Sequence, residues 1–230
     1  MNGIKNVNSK KKEKGEIREL TRTEEIIHAL THGGGALASV VGLIFLLIKS
    51  SNEPRALISS LIFGISLVAL YSASCFYHTT CALFSPKEES GVREFAKKCD
   101  HSIIYLLILG TYAPACISAM GNTLGFVVFA VVCVACLVGV ILNVIDVEKF
   151  RLVSLFLYII SGWAIVAIIY PYYKSVGILG VLFLLLGGIA YTVGIIFYKA
   201  QSIKYMHIVW HACVLLGSAM HYIMVYFYCI

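Results

Sequence analysis

The chain has 230 residues, a formal net charge of +6 and a mean hydropathy of +0.88, with 60% apolar and 13% charged residues. Soluble domains carry about a quarter charged residues, so this balance excludes an ordinary soluble enzyme. It leaves room for one polytopic membrane bundle and for no separate soluble domain.

Residues 1–25 form a polar, basic tail that includes Lys10, Lys11 and Lys12. The tail lacks a short apolar core with a small-residue cleavage site, so it is not expected to be a cleaved signal. Gly3 is not placed for myristoylation, and Cys229 is too near the end for a prenyl box. Residues 26–230 read as one membrane domain. A bilayer crossing needs about 17–25 apolar residues, and seven runs qualify: 27–48, 57–84, 101–120, 124–145, 152–170, 175–198 and 205–229. The expected fold is all-α, a seven-transmembrane helical bundle. The expected breaks are Lys49 to Arg55, Pro86 to Asp100, Gly121-Asn122, Asp146 to Arg151, Pro171 to Lys174, and Lys199 to Lys204.

The first run opens with EEIIHALTHGGG, which puts His28 and His32 four residues apart near Glu24 and Glu25. These histidines can ligate a metal, cap a site, or face headgroups and solvent; the last is the expectation for His28. Gly33, Gly34 and Gly35 are expected to let helices pack closely. The second run ends YSASCFYHTTCALF, with Ser74 and His78 again four apart. The third begins CDHSIIY, with Asp100 and His101 at its start, and contains Pro114, a kink that neighbouring helices can accommodate. The fourth holds the C-x-x-C of Cys133 and Cys136 inside FVVFAVVCVACLVGV, where cysteine behaves as a small hydrophobe. The last run contains HIVWHACVLLGSAMH, with His207, His211 and His221.

Lys and Arg mark the cytoplasmic side. With the N-terminus inside, fifteen of the 18 basic residues fall on inner segments, and only Lys49, Arg55 and Lys174 lie outside. The N-terminus is therefore expected in the cytoplasm and the C-terminus outside. The net charge reflects this bias rather than a nucleic-acid surface.

With that orientation the ionisable residues meet at one depth. Ser74 and His78 lie at the inner end of run 2, Asp100 and His101 at the inner start of run 3, and His207 and His211 in the first turns of run 7. At 1.5 Å per residue all fall within about 10 Å of the inner interface. His207 and His211 share a helix face, as two ligands of one metal require. His78 would supply a third imidazole and leave a fourth position open, the pattern of a catalytic zinc. Asp100 could then accept a proton from activated water, and Ser74 could orient water or a substrate carbonyl. The Glu of H-E-x-x-H is missing, which excludes a soluble metalloprotease. His221, about 15 Å farther out, is expected to be a buried hydrogen-bonding residue.

The stretches EEIIHALTHGGGA, YSASCFYHT, CDHSIIYLLILGTYAP and HIVWHACVLLGSAMH resemble the signature blocks of the hemolysin III family, across about residues 20 to 230. That family is the bacterial branch of the progestin and adipoQ receptor superfamily, which includes the adiponectin receptors. The resemblance implies seven helices, an inner N-terminus, and Zn2+ held by His78, His207 and His211 with Asp100 and Ser74 around the bound water. It also implies kinship with alkaline ceramidases. This sequence has His28 where the family often has Asn, and it lacks the long cytoplasmic domain of the receptors.

Three functions fit. One is a zinc-dependent hydrolase of a lipid amide or ester, with membrane lipids as partners and a bacterial inner membrane as location. The others are a cytolytic pore, and a receptor-like regulator of membrane state whose zinc is structural.

Overall fold

The computed structural model describes residues 18, 20–84, 91–200 and 202–230. The tail with Lys10 to Lys12, and residues 85–90 with Pro86 and Lys87, lie outside the described residues. Every regular element among the described residues is helical: α1 (Arg22–Ser50), α2 (Pro54–Leu83), α3 (Gly91–Ala113), α4 (Thr123–Asp146), α5 (Arg151–Trp163), α6 (Ile169–Lys199) and α7 (Met206–Met224).

Local chemistry sets the helix starts. Thr21 caps α1 in a reciprocal box: its hydroxyl accepts from Glu24 N–H, and the Glu24 carboxylate accepts from Thr21 N–H at 3.0 Å. Pro54 opens α2, where its missing N–H has no helical partner to lose. The Asn122 side chain caps α4 by accepting from Gly125 N–H at 2.9 Å.

Three boundaries bear on the sequence expectations. First, α3 starts at Gly91, so Arg93, Lys97 and Lys98 stand on a helical extension rather than in a loop. Lys98 pairs there with Glu94 one turn away, and Lys97 pairs with Glu148 from the α4–α5 connection. Second, Pro114 lies inside the third span, as expected, and the chain passes there into a wider π-helical segment, Pro114–Met120.

Third, α5 and α6 join through a short 3₁₀ segment, Ala164–Ile168, into one apolar helical stretch of 49 residues. Among the described residues six stretches, counting this as one, are long and apolar enough to cross a membrane. A straight helix of that length would run about 73 Å, more than twice the hydrocarbon thickness. The backbone breaks at Gly177, with φ 70° and ψ −178°, a combination that essentially only glycine adopts. Beyond it the chain folds back. Trp163 Nε1 donates to Thr192 Oγ1 at 3.0 Å, and the Arg151 guanidinium lies 5.6 Å from the centre of the Tyr198 ring. The reversal thus falls three residues past the expected Pro171 to Lys174 turn.

Packing follows the small residues. Antiparallel α1 and α2 close up at Gly35, where a Cβ would lie 2.9 Å from the Tyr71 ring. Of the glycine triplet, Gly35 and Gly33 meet neighbours and Gly34 faces open space. Buried hydroxyls and amides bond across helices: Ser154 Oγ donates to Asn143 Oδ1 at 2.6 Å, Asn143 Nδ2 to Tyr158 Oη at 3.0 Å, and Tyr158 Oη to His101 O at 2.7 Å. Large apolar side chains such as Leu30, Leu37 and Ile160 point outward, as a lipid-facing belt requires. Cys133 is exposed on that belt while Cys136 is buried in the core, so the pair meets no common ligand. His221 is buried and its Nε2 bonds Leu184 O at 3.1 Å, the structural role expected of it.

Candidate metal centre

α1 and α7 run parallel. Glu24 lies at Tyr205, His32 stacks on His211, and Gly42 O accepts from Tyr222 Oη. The starts of α1 and α7 therefore share one end of the bundle with the last turns of antiparallel α2. Glu24 fixes this end. It is 1% exposed, and its carboxylate accepts from Arg18 at 2.5 Å, from the Thr21 hydroxyl at 2.8 Å and from Tyr205 N–H at 3.2 Å. These bonds join the N-termini of α1 and α7.

Inside this end, five imidazoles cluster. His28 sits 4.7 Å, centre to centre, from each of His78, His207 and His211. His78 lies 5.4 Å from His207 and 4.9 Å from His211, and His207 lies 4.9 Å from His211. His32 stacks on His211 at 3.7 Å and makes an edge-on contact with Tyr71 at 5.1 Å. The i, i+4 spacing of each helical pair puts both rings on one face.

The carboxylate in contact with this cluster is Glu25. Its Oε2 lies 2.6 Å from His78 Nδ1 and 3.9 Å from His28 Nδ1. A carboxylate on Nδ1 leaves Nε2 of His78 free for a ligand and fixes the ring orientation, the usual second partner of a metal-ligating histidine.

Side-chain nitrogens of His28, His78 and His207 lie mutually within 4.8 Å, close enough to hold one metal ion. Both nitrogens of His28 and of His32, and Nδ1 of His211, are buried without a hydrogen-bond partner. Such groups are costly unless something binds them, and neutral imidazole is a ligand for divalent metals. The residues therefore fit a metal ion.

The rings of His78, His207 and His211 stand together, but the nitrogens close enough to share one ion are those of His28, His78 and His207, so His28 takes the place expected of His211 in that set. The 1% exposure of His28 corrects the expectation that this residue faces headgroups and solvent. Ser74 is buried one turn before His78 on α2. Asp100 is at the same end of the bundle on α3, but the histidine it contacts is His101, at 3.8 Å, rather than one of the five. Sequence reasoning gave Glu25 no role. Its signal is the E-x-x-H spacing of Glu25 and His28, which places both on the inward face of α1.

Residues 20–222 match the family model described as haemolysin-III related. The chain is 39% identical over 212 residues to the Hemolysin-3 homolog of Bacillus subtilis, covering 91% of this chain and 96% of that protein. It is 37% identical to Hemolysin-3 of Bacillus cereus, covering 89% and 91%. It is 26% identical to the human monocyte to macrophage differentiation factor, covering 89% and 84%. Apolar helices, an end-on histidine cluster and a match across nearly the whole length lead to one conclusion: this multi-pass membrane protein belongs to the haemolysin-III-related family.

Proposed function

We propose that the protein is a zinc-dependent hydrolase of a lipid amide or ester, set in the bacterial inner membrane. A basic tail of residues 1–25 stays in the cytoplasm, and residues 26–230 cross seven times, leaving the C-terminus outside. The fold-back at Gly177 supports the seventh crossing, and the fifteen-to-three distribution of basic residues supports the orientation.

The observation that carries the enzymatic reading is a buried imidazole cluster with its own carboxylate at one end of a lipid-facing bundle. His78, His207 and His211 hold the zinc in this reading. When bound, such an ion polarises a carbonyl and activates water for attack near neutral pH. Glu25 accepts the Nδ1 proton of His78 and keeps that ring in one tautomer. Ser74, one turn away on the same helix face, orients the scissile carbonyl through Oγ. Asp100 takes the proton of the attacking water on its carboxylate and returns it to the leaving amine or alcohol. A lipid reaches the site sideways between helices.

Purified protein is to be measured for zinc and for hydrolysis of ceramides and glycerolipid esters. One zinc per chain is expected, with turnover lost in Asp100→Asn. Full zinc loading with no turnover on any lipid class, and no change in Asp100→Asn, refutes the hydrolase reading.

A cytolytic pore is the second reading, favoured by the name Hemolysin-3 of the Bacillus cereus relative. Conductance in planar bilayers that survives His78→Ala would support it over the enzyme.

A further inference from the structure

His28 lies as close to each of three other imidazoles as they lie to one another. The four rings of His28, His78, His207 and His211 have six centre-to-centre separations, all between 4.7 and 5.4 Å. With metal–nitrogen bonds of about 2.0–2.1 Å, imidazole centres lie about 3.2 Å from the ion, and in a tetrahedron about 5.2 Å from one another. The four rings therefore occupy the corners of a near-regular tetrahedron of the size that one four-coordinate ion requires. Three of them, His28 included, have nitrogens mutually within 4.8 Å; His211 lies outside that set and carries a buried Nδ1 without a partner, available to turn toward it. His32, stacked flat against His211, backs that ring rather than joining the four.

We propose that His28 is a fourth ligand of the ion, so that the resting centre is coordinatively closed, and that His28 is the ligand that leaves to admit substrate. The proposal rests on the metal centre of the preceding reading and adds its control. The exchangeable ligand is identified by its restraints. His78 is held by Glu25 at 2.6 Å, and His207 and His211 stand together on one face of α7. Neither nitrogen of His28 is hydrogen-bonded, and Glu25 is 3.9 Å away. The opposite face of its helix is turned outward, with Leu30, two residues on, 70% exposed. Rotation of the His28 side chain frees its nitrogen while α1 stays in place, with Glu25 still on His78 and His32 still on His211. Its release leaves the three-histidine arrangement with an open position that catalytic sites use.

The full-length protein in detergent, loaded with Co2+, reads this directly. Wild type is expected to show the visible spectrum of a tetrahedral, all-nitrogen site that added azide does not change. His28→Asn is expected to keep one Co2+ per chain, to shift that spectrum, and to respond to azide, with lipid hydrolysis raised several-fold. X-ray absorption on zinc-loaded wild type gives a second measurement that needs no variant: four imidazole shells are expected. Three imidazoles plus a light oxygen, or a wild-type spectrum that azide alters as it does in His28→Asn, overturns the proposal and leaves the metal centre standing. Failure of wild type to bind any ion overturns both.

Discussion

Replacing Glu25 by Gln removes the charge from the carboxylate that holds His78 while keeping its length and shape. The contact is 2.6 Å from Oε2 to His78 Nδ1, within charge-assisted range, and the pair is buried. Loss of such an outer partner lowers metal affinity by about 10–100-fold, or about 1.4–2.7 kcal/mol. Glutamine can still accept a hydrogen bond through its carbonyl, so the lower half of that range is the expectation. The assay is competition with a chromophoric chelator in detergent, for wild type and variant side by side, with melting temperatures of the metal-free proteins as control. Equal affinities in two equally stable proteins would refute the orienting role of Glu25. Complete loss of the metal would refute it from the other side, since Glu25 would then be a ligand.

Gly177→Ala tests the fold-back. A Cβ there meets open space, so the cost is that of the backbone conformation alone, about 1–3 kcal/mol. Gly162→Ala, in helical α5 and equally open, is expected to change stability in the opposite direction; two equal effects in thermal unfolding would contradict the assignment. Zinc at a free concentration of 100 times Kd should stabilise the protein by about 2.7 kcal/mol, and a chelator should reverse the rise in Tm. Lys97 holds the Glu148 carboxyl below the usual carboxylate value. Its stabilisation is therefore present above that value and is lost as pH falls through the lowered one. Glu148 is largely exposed, so the effect is under about 1 kcal/mol, and Lys97→Ala should flatten that part of the acid stability profile.

Much of the architecture was legible because lipid allows few solutions: long apolar runs, small residues at contacts and charges at the breaks. The depth of His78, His207 and His211 followed from helical rise and the direction of each span. What periodicity could not supply was lateral placement. His28 lies at the end of its run, where an interfacial histidine and a buried one have the same sequence surroundings. Only the parallel packing of α1 on α7 turns it inward. Glu25 was hidden for the same reason, since a first-turn acid is also favoured by the helix dipole. Asp100 shows the converse. It shares the expected level, yet its nearest histidine is its own neighbour, His101. Gly177 outranks Pro171 as the turning point because proline is tolerated near a helix start, whereas a positive φ with an extended ψ is not tolerated within one.

The parallel seam between α1 and α7 also imposes an order on biogenesis. His28 and Glu25 leave the ribosome early, whereas His207 and His211 are among the last residues to be translated. The five-imidazole cluster therefore closes only after α7 has been made, and a product that ends before α7 lacks two of its five rings. On the proposed reading, loading with metal would report that synthesis ran to completion.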